Sequence, residues 1–252
     1  MSNQINLNFG HHLGIVDEKN KLILLWTPKA GCSMSIAIML RQAGILNINQ
    51  RYSTKEIHKN RVQFYNKYGY LNFEVPEYYD KYYIFKVIRN PYDRAVSSYL
   101  WSMKFILFCD FNYTWSFENY LIHLKANNLQ ICHENKILNV PTDHCQQQYV
   151  IGEEKYVRKY VHLENLENEI DEINRELNIN INASNLDHFI MNHYFKNIDI
   201  EDQLAYVGNI NFNELPSLIP SCYKCFYNEK TRSLVEDLYK DDIRCYKYEF
   251  YK

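Results

Sequence analysis

Residues 22–35 read LILLWTPKAGCSMS. The apolar run Leu22–Leu25 with Trp26 is short enough for a buried strand, and Thr-Pro-Lys-Ala-Gly then turns the chain. The segment that follows, SMSIAIMLRQAGI (33–45), places apolar residues at helical spacing and stops at Gly44. Strand, turn and helix in that order aim the backbone N–H groups of residues 31–35 at one spot, at the positive end of a helix dipole. Lys29 adds a full charge, and Ser33 and Ser35 add hydroxyl donors. The stretch reads as a cradle for an anion. It is not the common phosphate loop, where the lysine and its serine or threonine follow the last glycine; here Lys29 precedes Gly31. A plain strand-to-helix turn with a surface lysine is the reading that so short a stretch leaves open.

A second unit of the same kind lies downstream. KYYIFKVI (81–88) is a compact β-rich run, and RNPYDRAVSSYLWSMKF (89–105) follows at once. Pro91 suits the first turn of a helix, and Ala95, Val96, Tyr99 and Leu100 continue its apolar face. Arg89 at a strand end can fork onto a phosphate, and Ser97, two turns into the helix, can share it. A local ion pair of Arg89 with its neighbours, Asp93 or Arg94 being involved, is the competing reading. Two anion sites on two successive strand–helix units fit one ligand that carries two separated phosphates.

The remaining chain is consistent with an α/β domain. Residues 14–26 look like strand, polar turn, strand; 51–80 are polar and aromatic with weak periodicity, as in short helices and loops. A helix is expected from near Ser116, a short strand and then an acidic amphipathic helix over 160–177, and a helix with an aromatic tail over 231–250. Strand–loop–helix repetition predicts a central parallel sheet flanked by helices on both faces. With 252 residues, 46% of them hydrophobic, the chain supports one domain over 1–252. A net charge of −2 gives no global field for nucleic acid. No run approaches the ~18 apolar residues of a membrane span, and the N-terminus MSNQINLNFG shows no signal pattern, so a cytoplasmic protein is expected. Seven cysteines, an odd number, are then reduced thiols.

PKAGCS (28–33) followed by RNPYDRAVSSY (89–99) resembles the paired signature of sulfotransferases that use 3′-phosphoadenosine 5′-phosphosulfate (PAPS), most nearly the Golgi-type carbohydrate sulfotransferases. HLENLENEIDEIN (162–174) is similar to that family's strand and acidic helix, and LYKDDIRCYKYEF (238–250) to its C-terminal ending. The resemblance implies a P-loop-like sulfotransferase fold. It implies a cofactor loop made of Pro28, Lys29, Ala30, Gly31, Cys32, Ser33 and Met34. In that loop Lys29 and the amides hold the 5′-phosphosulfate and Ser33 donates to it. Arg89 and Ser97 would clamp the 3′-phosphate. A lysine at the bridging oxygen neutralises the leaving group without a metal, so no metal is expected. One departure is that Met34 and Ser35 stand where the family commonly has a tryptophan.

Sulfuryl transfer to a hydroxyl needs a base, and the resemblance points to two histidines. His58 lies between the two loops, where several carbohydrate sulfotransferases place a catalytic histidine, and imidazole suits a hydroxyl proton near neutral pH. His144, in PTDHCQQQYV, falls in a segment similar to the acceptor side, with Asp143 adjacent to it. Glu56 and Glu74 are the carboxylate alternatives, while His11, His12, His188 and His193 carry no argument beyond surface placement. Cys222 and Cys225 form a single Cys-x-x-Cys, better read as structural thiols than as a zinc site. The expected partner is a hydroxyl-bearing acceptor, a glycan by resemblance; the sequence specifies neither its identity nor an oligomeric state. A tyrosine or small-alcohol sulfotransferase, and a nucleotide- or glycan-binding protein on the same fold without catalysis, are the alternatives. The lysine order and the Arg89…Ser97 element count against a P-loop phosphotransferase.

Overall fold

In the computed structural model the described residues are 13–47, 49–68, 79–108, 114–133, 136–137, 144–184, 186, 190–191, 205–215 and 223–251. They divide into two compact units, each built from two stretches of chain: Met1–Ile88 with Gln148–His193, and Arg89–Gln147 with Tyr194–Lys252.

The first unit holds the sheet. Its strands are β1 (Leu13–Asp17), β2 (Leu22–Trp26), β4 (Tyr83–Ile88) and β7 (Lys159–His162), in the order β1-β2-β4-β7. β1 returns antiparallel on β2 through the turn at Asp17, whose carboxylate accepts from the Lys19 and Asn20 amides. β2, β4 and β7 run parallel. The sheet is therefore mixed: β2, β4 and β7 form the central parallel part expected from the sequence, and β1 joins its edge antiparallel. A short polar turn can close only a hairpin, because a parallel return needs a crossover of a dozen residues or more.

Both faces are buried, and the side chains alternate between them as the pleat requires. Ile15, Leu22, Leu24, Trp26, Phe85, Val87 and Val161 face one core, where they meet Ile36 and Leu40 of α1 (Cys32–Gln42), Ile57 and Phe64 of α2 (Thr54–Tyr68), and Ile170 and Ile173 of α5 (Leu166–Leu177). Val16, Ile23, Leu25 and Ile84 face the other, covered by Tyr82, Tyr156 and Val157. Lys86 has the parity of that second face. It is fully buried and paired to the equally buried Glu153 at 2.7 Å. Its ammonium also donates to the Gln148 carbonyl, and Glu153 accepts the Val150 amide at 3.1 Å. A small ladder, β3 (Tyr52–Ser53) beside β8 (Ile190–Met191), completes the pairing in this unit.

The second unit is helical and aromatic. α3 (Pro91–Phe108) and α4 (Phe117–Ala126) share a core with α6 (Glu229–Leu238), followed by α7 (Lys240–Tyr246). α4 starts where the sequence predicts, with the Ser116 hydroxyl accepting from the Asn119 amide. Asn228 and Thr231 form a reciprocal capping box on α6. Tyr92, Tyr99, Phe117, Tyr120, Phe226 and Tyr227 pack edge to face or tilted. The aromatic tail joins them, Phe250 lying 4.9 Å from Tyr92 and the Tyr251 hydroxyl donating to Asp93 at 2.8 Å. A short antiparallel pair, β5 (Cys132–His133) and β6 (Lys136–Ile137), also belongs here.

Candidate functional site

The three parallel strands end together. Trp26 is in register with Val87, and Ile88 with His162, so the turn after β2 leaves the carboxyl edge of the sheet, where open α/β sheets take their ligands. In that turn the Ala30 amide donates to the Thr27 carbonyl at 3.2 Å. Lys29 (φ 67°) and Gly31 (φ 80°) both adopt the left-handed conformation. The left-handed turn favours glycine at 31, and a Cβ there would lie 2.4 Å from Leu163 Cδ1, just past β7, so that side chain would have to shift. Gly31 is also the N-cap of α1 and brings no capping side chain. The helix bonding starts with the Ser35 amide on the Gly31 carbonyl at 3.0 Å, which leaves the first-turn amides without an intrahelical acceptor. Two hydroxyls of the same segment, Thr27 Oγ1 and Ser35 Oγ, are buried and unpartnered among the described residues. Leaving such a group unsatisfied costs about 1–3 kcal/mol. Uncapped amides, two unspent hydroxyls and a lysine in one turn fit a polyoxyanion.

Ser33, buried on the first turn of α1, brings in one of the predicted histidines. Its Oγ lies 3.3 Å from Nε2 of half-buried His58. The contact follows from how α2 is seated. Ile57 and Phe64 enter the core beside α1, and the helix start is fixed by Glu56, whose carboxylate accepts from the Ser53 amide (2.7 Å) and hydroxyl (2.6 Å). Those bonds, the hydroxyl's first, hold the Glu56 carboxyl below its ordinary value. Glu56 is occupied as a helix cap, which argues against its use as the base. Glu74 lies outside the described residues.

Arg89, Ser97 and His144 all belong to the second unit. Asn90 accepts the Tyr92 amide on its side chain at 2.9 Å, Pro91 opens α3, and the Arg89 guanidinium lies 5.8 Å from the Tyr223 ring centre. Both neighbours offered for a local ion pair have other work. Asp93 accepts from Tyr251, and Arg94 is buried, donating to the Gln146 carbonyl at 2.6 Å with the Tyr239 ring 5.9 Å away. Ser97 is half-exposed on the second turn of α3. Ser98 beside it turns inward and donates to the His144 carbonyl at 2.5 Å. His144 is half-buried against Trp101, with ring centres 4.0 Å apart. Next to it Cys145 is fully buried, and burial pushes its thiol up.

Sequence reasoning passed over Thr27, Leu163, Trp101 and Tyr223. Only the hydroxyl of Thr27, one residue before the loop proline, carried a local signal; the others reach their places through tertiary packing. Cys32, Cys145, Cys225 and Cys245 are free thiols, and Cys222, His11, His12, His188 and His193 lie outside the described residues. Among the described residues no helix is long and apolar enough to cross a membrane. Residues 13–249 match the model of the sulfotransferase family, and the chain belongs to that family. No curated protein and no solved structure matches it.

Proposed function

We propose that this member of the sulfotransferase family moves the sulfuryl group of PAPS to an acceptor hydroxyl, that of a carbohydrate by its resemblance to the Golgi-type enzymes. The observation that carries the reading is the loop after β2, where an uncapped helix start, Lys29 at positive φ and two buried, unpartnered hydroxyls sit together. In the reaction the acceptor oxygen bonds to sulfur as the sulfur–oxygen bond to the 5′-phosphate breaks, and the acceptor proton passes to a base. Negative charge grows on the departing phosphate oxygen, and Lys29 with the first-turn amides of α1 would stabilise it there. Arg89 and Ser97 would read the 3′-phosphate, with the Tyr223 ring supporting the guanidinium. His58 and His144 are the histidines available to the acceptor proton.

The test is calorimetry with 3′-phosphoadenosine 5′-phosphate and 5′-AMP. A charge-assisted bond to the extra phosphate is worth about 1.5–3 kcal/mol, so the bisphosphate should bind roughly 10- to 150-fold more tightly. Equal affinities would overturn the donor assignment. PAPS-dependent transfer to a panel of glycans, phenols and peptides then identifies the acceptor.

A further inference from the structure

We infer that His58 is a positioning residue that acts through Ser33: its Nε2–H turns the Ser33 hydroxyl toward the bound anion, and it is not itself the base. The inference rests on the donor reading above and adds a role for the 3.3 Å contact between Ser33 Oγ and His58 Nε2. A serine hydroxyl has one proton to give and lone pairs to receive, and a neutral imidazole nitrogen either gives or receives. A phosphate or sulfonate oxygen can only receive. When such an oxygen reaches the first turn of α1, Ser33 can bond to it only by spending its single proton there. Its oxygen is then an acceptor toward His58, which must present Nε2–H. In the opposite tautomer Nε2 takes the serine proton, and Ser33 would face the anion with lone pairs. The histidine tautomer therefore decides whether Ser33 attracts or repels the donor, and a chain running from His58 through Ser33 to the anion is polarised in one direction.

The surroundings favour this ordering role. Ser33 is buried. His58 is carried on a helix whose start is pinned by the Ser53–Glu56 bonds and whose Ile57 is fully buried, so the imidazole is presented at a fixed place. With Nε2–H given to Ser33, that nitrogen takes no proton from the acceptor, and of the two histidines that the resemblance offers as base His144 is the other.

The experiment uses the full chain, with 3′-phosphoadenosine 5′-phosphate as the calorimetric probe and PAPS turnover as a second readout. His58→Ala and Ser33→Ala should each weaken nucleotide binding about 5- to 20-fold, and the double variant should be no more than about threefold worse than either single one. His58→Gln, whose amide N–H can stand where Nε2–H stood but which cannot take a proton at neutral pH, should bind within about threefold of wild type and keep turnover within about tenfold. A base would fail this substitution. Three results overturn the inference: wild-type nucleotide affinity in His58→Ala, multiplied losses in the double variant, or a His58→Gln that is as weak as His58→Ala or inactive. Should His58→Ala fail to fold, as melting would reveal, the Gln variant decides alone. A wild-type protein that does not prefer the bisphosphate to 5′-AMP removes the donor reading itself, and the inference with it.

Discussion

The role proposed for Lys29 comes with a backbone cost. A non-glycine residue at φ 67° sits in a region that costs an L residue about 1–2 kcal/mol, and such strain persists where the surroundings over-determine it. Two variants separate charge from strain. Lys29→Ala removes the ammonium and keeps the strain; Lys29→Gly removes both and should melt as if about 1 kcal/mol more stable than the alanine variant. Both should lose turnover by a larger factor than they lose affinity for the desulfonated nucleotide, because the charge they neutralise is greatest as the sulfur–oxygen bond breaks. Near wild-type turnover at saturating PAPS would make Lys29 a docking group only. Gly31 carries the opposite constraint. Gly31→Ala meets Leu163 Cδ1 at 2.4 Å and must also hold φ 80°. Chemical denaturation should show a loss of about 1–3 kcal/mol, and adding Leu163→Ala should recover the steric part and leave the conformational one.

At the scale of elements, the Ser53–Glu56 pair and the Lys86–Glu153 pair behave differently. Ser53 holds the Glu56 carboxyl below its ordinary value, so its stabilising effect is complete above the unfolded value of about 4.3 and is lost as pH falls through the lower folded one. The melting difference between wild type and Glu56→Gln should accordingly shrink between pH 5.5 and 3. Glu56→Gln should also retain turnover, which a catalytic carboxylate could not. Lys86 and Glu153, by contrast, are fully buried on the middle of the sheet. Lys86→Met alone should cost about 3–5 kcal/mol in urea, since it strands a buried carboxylate. Adding Glu153→Leu should recover only part of that loss, because the Gln148 carbonyl and the Val150 amide still lack their partners. The sequence made some of these elements legible and hid others. The β2 loop, β4 with Pro91, the Ser116 cap and the α5 stripe announce themselves through local periodicity and punctuation. α2 does not: TKEIHKNRVQFYNKY (54–68) has too few apolar residues for a clear stripe, and its helix is held by the Ser53–Glu56 box and by Ile57 and Phe64. The Ser33–His58 contact was hidden for the same reason, since it exists only once α2 is seated beside α1.

For the whole molecule, the legible features are again the local ones. Strand, loop and helix can be read from neighbours in sequence, and the family match runs from 13 to 249 across both units. The partition into units could not be read, because it depends on pairings such as Ile88 with His162 that no window of sequence contains. That pairing has a consequence in time. A ribosome delivers β1, β2 and β4 early, yet β7, just before the Leu163 that covers Gly31, emerges only after residues 89–158 have been made. At about 5–20 residues per second these roughly 70 residues take about 3.5–14 s. For that interval the nascent chain displays the open edge of β4, and the second unit awaits α6 and α7. Arrested chains ending at residue 147 should be cut rapidly by protease within the 13–88 stretch, and chains extended past residue 193 should resist, which makes the interval before β7 arrives the period when this protein most needs a chaperone.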